Sequence, residues 1–158
     1  GLDESFFAHM EEIDLCWRLK QAGHKIYYCA DSTIYHVGGG TLSYESPRKT
    51  YLNFRNSLYM ITKNYEGYIL LKIFKRLILD GLAATMFLFK MQFKHFLAVF
   101  KSHMSYYANL GQLLKKRKLI KKQRTDLNRV GLYRKSIIVK KYLGGIKHFN
   151  ELDSKDFH

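Results

Sequence analysis

Three carboxylates, Glu11, Glu12 and Asp14, fall within four positions of the stretch "FFAHMEEIDLCWRLKQAGHKI", residues 6–26, where an amphipathic helical pattern begins. A carboxylate in such a place can serve as a general base. It takes the proton from a hydroxyl as that oxygen attacks, provided the two oxygens come within about 2.6–3.2 Å. Local physics supplies a plainer role, because acidic residues in a first helical turn are stabilised by the helix dipole by about 0.3–1 kcal/mol each. Asp14 has a further structural option: Arg18 lies one turn beyond it, and a pair at that spacing braces a helix surface. Downstream, the glycine-rich "GGGTL" is followed by Arg48, Lys49 and Arg55. Backbone amides and cations of this kind meet phosphate, although these glycines have neither P-loop nor Rossmann spacing.

The elements that must carry these residues can be read from periodicity. A helix is expected over about 10–22, with Trp17 and Leu19 toward a core and Gly23 as its left-handed cap. "KIYYCA" and "STIYHV" are rich in β-branched and aromatic residues and predict two short strands or extended segments on either side of "DS". A Gly-rich, then polar loop follows and contains the only proline, Pro47. Helices are expected over about 50–64 and again from about 67, where Ile69, Leu70, Ile73, Phe74, Leu77 and Ile78 share a face opposite Lys72, Lys75 and Arg76. A second stripe, Phe93, Phe96, Leu97, Phe100, Met104 and Tyr107, runs beside Lys94, Lys101 and His103. The basic run "KKRKLIKKQR" closes this helical region, and the tail holds one strand-like run, residues 136–139.

Composition narrows the class. The 158 residues are 47% hydrophobic and 15% aromatic, too apolar for a disordered chain despite a formal charge of +14. The charge is segregated: through Thr50 there are 5 Lys/Arg against 7 Asp/Glu, and from Tyr51 onward 22 against 6. Such asymmetry directs the second part toward an anionic partner. A membrane span needs about 20 largely uncharged residues. The cleanest apolar run, "GLAATMFLF", is framed by Asp80 and Lys90, so helices lying on an anionic membrane surface fit better. Packing of the same faces on each other as a bundle is the alternative. Cys16 and Cys29 have no metal-like spacing and are expected as buried free thiols in a reducing compartment. An opening Gly, with a recognisable element within ten residues of it, suggests that an N-terminal portion precedes this sequence.

Several of these pieces, taken in order, resemble the C-terminal part of the catalytic domain of family 2 glycosyltransferases, the inverting GT-A enzymes, and especially their rhamnosyltransferase-like members. They are Phe6 with Phe7, Glu11 to Leu15, the basic helix ending at Gly23, the segment from Ile26 to Tyr28, Tyr35 with His36, and Gly38 to Gly40. "SPRKTYLNFRNSLYMITKNY" extends the likeness to about residue 65. The resemblance implies an α/β fold, as the C-terminal part of a GT-A domain over 1–65; periodicity and charge add mainly α amphipathic, membrane-associating helices over 66–125 and a basic tail over 126–158. The resemblance also implies a single-displacement transfer needing one base, whereas a retaining hydrolase would need a nucleophilic carboxylate besides.

That base position is Glu12, where the family usually has Asp, so the extra methylene requires the helix to sit slightly further back; Glu11 is the second candidate. Asp14, Arg48 and Gly39 are the implied substrate-binding positions, with Arg48 facing donor or acceptor phosphates whose charge grows as the nucleoside diphosphate leaves. His36 is the implied ligand of a divalent cation, Mg²⁺ or Mn²⁺, held mostly by an Asp-x-Asp motif that would precede this sequence. The implied partners are a nucleotide-sugar donor, a glycan or lipid-linked acceptor of cell-surface polysaccharide synthesis, and the cytoplasmic face of a bacterial inner membrane, held peripherally. Without the donor-binding half, this chain alone is not expected to turn over. A basic non-enzymatic protein of a membrane surface or of nucleic acid is the rival class; nucleic acid is not the expected partner, because RNP, KH and zinc patterns are missing.

Overall fold

The computed structural model describes residues 1–35, 46–125, 133, 135–142 and 144–157. Five helices organise them: α1 (Glu11–Gln21), α2 (Pro47–Asn64), α3 (Ile69–Phe89), α4 (Phe93–Gln123) and the short α5 (Ile137–Tyr142). Single 3-10 turns stand at Glu4–Phe6, Phe149–Glu151 and Ser154–Asp156.

Local chemistry explains most of the boundaries. Gly23 takes φ 83°. The His24 N–H then reaches the Leu19 carbonyl at 3.0 Å and the Gly23 N–H that of Lys20 at 3.1 Å, the paired bonds of a left-handed helix stop. Ahead of the next helix, Ser46 Oγ accepts from the Arg48 N–H at 3.2 Å and Pro47 opens α2, so this helix starts three residues earlier than periodicity predicts.

The expected α/β fold is not what forms. Among the described residues there is no strand and no sheet, only an isolated antiparallel bridge between Tyr133 and Phe157. "KIYYCA" and the described part of "STIYHV" run as irregular chain around a turn in which the Ser32 N–H meets the Cys29 carbonyl at 3.2 Å. Tyr28 is 91% exposed and Tyr35 94% exposed. β-Branched and aromatic residues favour a strand by packing against cross-strand neighbours, and here no described segment lies alongside to supply them. The strand-like run at 136–139 is likewise helical: the Ser136 carbonyl accepts from the Lys140 N–H at 3.0 Å, opening α5. Cys16 and Cys29 are free but exposed, so the expected burial of the thiols does not hold either.

Helices α2, α3 and α4 pack as a bundle. Thr50 of α2 meets His95 of α4, Tyr59 meets Ser105, and Thr62 meets Tyr106, so α2 and α4 run side by side in the same direction. Helix α3 runs back in the opposite direction alongside α4, with Phe87 stacked on His95 and Asp80 bonded to His103. The core gathers Phe6, Leu58, Tyr59, Tyr106 and Leu113, with Ile73 and Leu77 against it. The apolar face expected on α3 is therefore divided: Ile73 and Leu77 point inward, whereas Leu70, Phe74 and Ile78 are exposed. On α4 the expected stripe of Phe93, Leu97, Phe100, Met104 and Tyr107 faces out, while Ala98, Val99, Ser102 and Tyr106 face in.

Candidate functional site: an acidic helix start on a buried polar frame

The stretch before α1 is wound tightly. Phe7, His9 and Met10 have φ of 64°, 69° and 71°, a left-handed region that is uncommon for residues with a side chain. Asn56 of α2 holds it there. Its Nδ2 stands 3.0 Å from the Phe6 carbonyl oxygen, 2.8 Å from that of Ala8 and 2.9 Å from that of His9. Arg55 fixes the amide's orientation by donating from Nε to Asn56 Oδ1 at 2.9 Å, and its Nη2 donates to the Phe6 carbonyl at 2.9 Å. The adjacent phenylalanines then diverge. Phe6 is buried edge-on against Tyr59, and Phe7 is exposed beneath the Arg48 guanidinium, 5.0 Å from the ring centre.

The three carboxylates that follow are not equivalent. Asp14 is wholly buried; Arg18 Nε is 2.9 Å from one of its oxygens, and Lys63 Nζ and Asn64 Nδ2 are 2.8 and 2.7 Å from the other. The Asp14–Arg18 pair suggested by the one-turn spacing is thus present, within a larger set of charges. Lys63, itself 1% exposed, also meets Asp3 at 2.6 Å and lies 4.7 Å from the Phe6 ring centre. Asp3 receives Lys116 as well, at 2.7 Å. Burial by itself would push the Asp3 carboxyl up, but hydrogen bonds from Lys116, Lys63 and Ser5 outweigh it and hold the group well below the usual carboxylate range. Two further donors close the end of α2, whose last carbonyls have no partner within the helix: Arg117 Nη1 reaches the Thr62 carbonyl at 2.9 Å and Gln21 Nε2 that of Asn64 at 2.6 Å. Burial lowers the Arg117 pKa, and the nearby Arg124 charge lowers it further.

Glu11 and Glu12 lie outside this set. Glu12 is exposed on the first turn of α1. Glu11 is half-buried; its Oε2 is shielded from solvent with no hydrogen-bond partner among the described residues, as is His9 Nε2. The helix start itself carries no side-chain cap. Asp14 has no free face to offer a substrate, whereas Glu12 has one. Trp17 is half-buried and Leu19 exposed, so neither is the core residue that the helical spacing suggests.

His36 and Gly39 lie outside the described residues. Among the described residues no group of three or more His, Cys, Asp or Glu side chains is arranged to hold a metal ion. Asp14 is already neutralised by Lys63 and Arg18, so these residues do not fit a divalent cation by themselves. No described helix is long and apolar enough to cross a membrane.

Sequence reasoning missed Asn56, Lys63 and Asn64, although a signal was there, and it read Arg55 as a phosphate contact where the structure gives it the Phe6 carbonyl. Leu52, Asn56, Tyr59 and Lys63 fall on one helical stripe, and the two polar members interrupt an otherwise apolar face. Burial of such groups is tolerated only where they are bonded, as these are.

No family model matches the chain, and no curated protein or solved structure matches it.

Proposed function

We propose that the chain supplies the base and the membrane-facing helices of an inverting glycosyltransferase acting on a glycan or lipid-linked acceptor. The observation that supports this reading best is the division within the acidic cluster. Asp14 is buried and neutralised as a strut, while Glu12, two residues earlier, is open to an incoming hydroxyl. The left-handed turn ahead of it, clamped by Asn56 and Arg55, sets where that helix begins. Backbone outliers over-determined in this way cluster at functional sites.

In this reading the Glu12 carboxylate takes the proton of an acceptor hydroxyl as its oxygen attacks the anomeric carbon of a nucleotide sugar. The bond to the nucleoside diphosphate breaks with inversion, and the proton remains on Glu12. The donor is bound by residues that the resemblance places before this chain. Arg48, fixed over Phe7 near the start of α2, is the cation on the acceptor side. The outward stripes on α3 and α4 rest on an anionic membrane surface, for which the surplus of Lys and Arg after Thr50 is suited.

The test is Glu12→Gln in the protein as the cell makes it. General-base catalysis is worth about 10²–10⁴-fold, so transfer should fall by that factor with nucleotide-sugar binding unchanged, and Glu11→Gln should fall less. Full transfer in the Glu12→Gln protein would remove this assignment. The exposed apolar stripes favour, in that event, a non-catalytic protein of a membrane surface.

A further inference from the structure

A cavity of about 560 Å³ lies away from the acidic helix start, between the first turn of α2 and the first three turns of α4. Three cations stand round it, Arg48, Lys94 and Lys101, over a floor made by Tyr51, Leu97 and Ala98. No carboxylate occurs among its described lining residues. Thr50 Oγ1 and His95 Nδ1, 2.8 Å apart, bolt the two helix starts together, so the arrangement is carried by helices.

The cations are not equally committed. Arg48 is held over Phe7, whereas Lys94 and Lys101 have no hydrogen bond or ion pair among the described residues. Lys94 and Lys101 are two helical turns apart, with Leu97 between them on the same side of α4. Like charges held near one another without a counter-charge repel, and an anion placed between them removes that cost. The floor continues outward over Phe93, Leu97 and Phe100, all exposed. A soluble anion would use the cations and leave this apolar strip in water. A lipid with a phosphate head uses both.

We infer that this cavity binds the phosphate head of a membrane lipid, with Arg48, Lys94 and Lys101 on the phosphate and the hydrocarbon chain lying along Phe93, Leu97 and Phe100. The inference deepens the reading above by naming the chemistry of the acceptor side, and it rests on that reading only for the lipid's role as acceptor.

The test uses the full chain and flotation on phosphatidylcholine vesicles containing phosphatidate, compared with vesicles containing phosphatidylserine at matched surface charge. Each lysine near an anionic surface contributes on the order of a fivefold gain in binding, so Lys94→Gln with Lys101→Gln should weaken phosphatidate binding roughly thirtyfold. Lys121→Gln with Lys122→Gln, the same loss of charge at the far end of α4, should weaken it by less than about threefold. Wild-type chain should prefer phosphatidate to phosphatidylserine. Equal losses in the two double variants, or equal binding to the two vesicles, would overturn the site in favour of unspecific charge attraction. Displacement by inorganic phosphate at constant ionic strength would overturn the lipid in favour of a free anion. Both cavity lysines are exposed, and unchanged helical circular dichroism checks that the variants are folded. No glycosyl transfer is read here. Lost phosphatidate preference with transfer still dependent on Glu12 overturns this inference alone, and the reverse result overturns only the reading above.

Discussion

The two ends of the bundle bury opposite things. Where α1 meets the C-terminal half of α2, the interior is ionic: Asp14, Lys63 and Asn64 are sealed inside, with Asp3, Arg18, Lys116 and Arg117 closing round them. Along α3 and the first half of α4 a stripe of large apolar residues is turned out, up to Phe89 at 89% exposed, while Asp80, Ala98 and Ser102 are turned in beside Ile73 and Leu77. A buried ion pair is weak evidence for stability, since desolvation offsets much of the attraction. What it supplies here is geometry, because each partner accepts only one arrangement of α1 on α2 and the preceding turn is fixed as a result. An exposed apolar stripe has the opposite meaning. It costs little order within the chain and leaves a surface that a lipid or another apolar face can cover.

Breaking the ionic end should have the largest effect on folding. Lys63→Met removes a cation that touches both Asp3 and Asp14 and leaves a buried carboxylate short of its charge partner. Losing one partner of a buried pair costs about 3–5 kcal/mol, so urea unfolding should show a loss of that order. A loss below about 1 kcal/mol would mean that the buried charges are not what fixes this end.

A smaller and pH-dependent effect is expected at Asp3. Its carboxyl is held below the ordinary range in the folded chain by Lys116, Lys63 and Ser5 against the opposing effect of burial. A depressed folded-state pKa stabilises wherever the unfolded chain's aspartate is ionised, above about 3.9, and that stabilisation is lost as pH falls from there toward the folded value. Asp3→Asn should therefore destabilise at neutral pH, and the gap from wild type should narrow as pH drops below about 4. A gap that stays constant with pH would show that Asp3 acts by packing alone.

The smallest effect on stability should come from the apolar end. Phe74→Ser, at an exposed position on α3, should change unfolding free energy by no more than about 0.5 kcal/mol. The same substitution should weaken flotation on anionic vesicles. A large loss of stability without any change in flotation would place Phe74 in a core and erase the contrast between the two ends.

Much of the helical framework was legible in the sequence. Gly23 stops α1 as its left-handed cap, and apolar periodicity located α3, α4 and most of α2, although Ser46 and Pro47, read as loop, start α2 three residues earlier. The strands were misread for a physical reason: the residue types of 26–35 state a preference for a sheet, but a sheet exists only if neighbouring segments come alongside. Periodicity also found the stripes on α3 and α4 without telling which way they face, since an apolar face is the same pattern whether it meets a core or a membrane. Of the candidate site, Glu11, Glu12, Asp14 and Arg48 were picked out by type and order, and the Asp14–Arg18 pair by its spacing. Lys63 and Asn56 were not, and Arg55 was read as a phosphate contact, because the partners of all three lie about 45–60 residues away along the chain.

The sequence by itself determined the stop of α1 at Gly23, the acidic cluster and the segregation of charge, because caps, short-range pairs and composition act over a few residues or over none in particular. Only the tertiary structure decided which acid is a strut and which is open. Burial is set by what the chain brings back from a distance, and here that is Lys63 and Asn64 delivered to Asp14 while Glu12 is left in water.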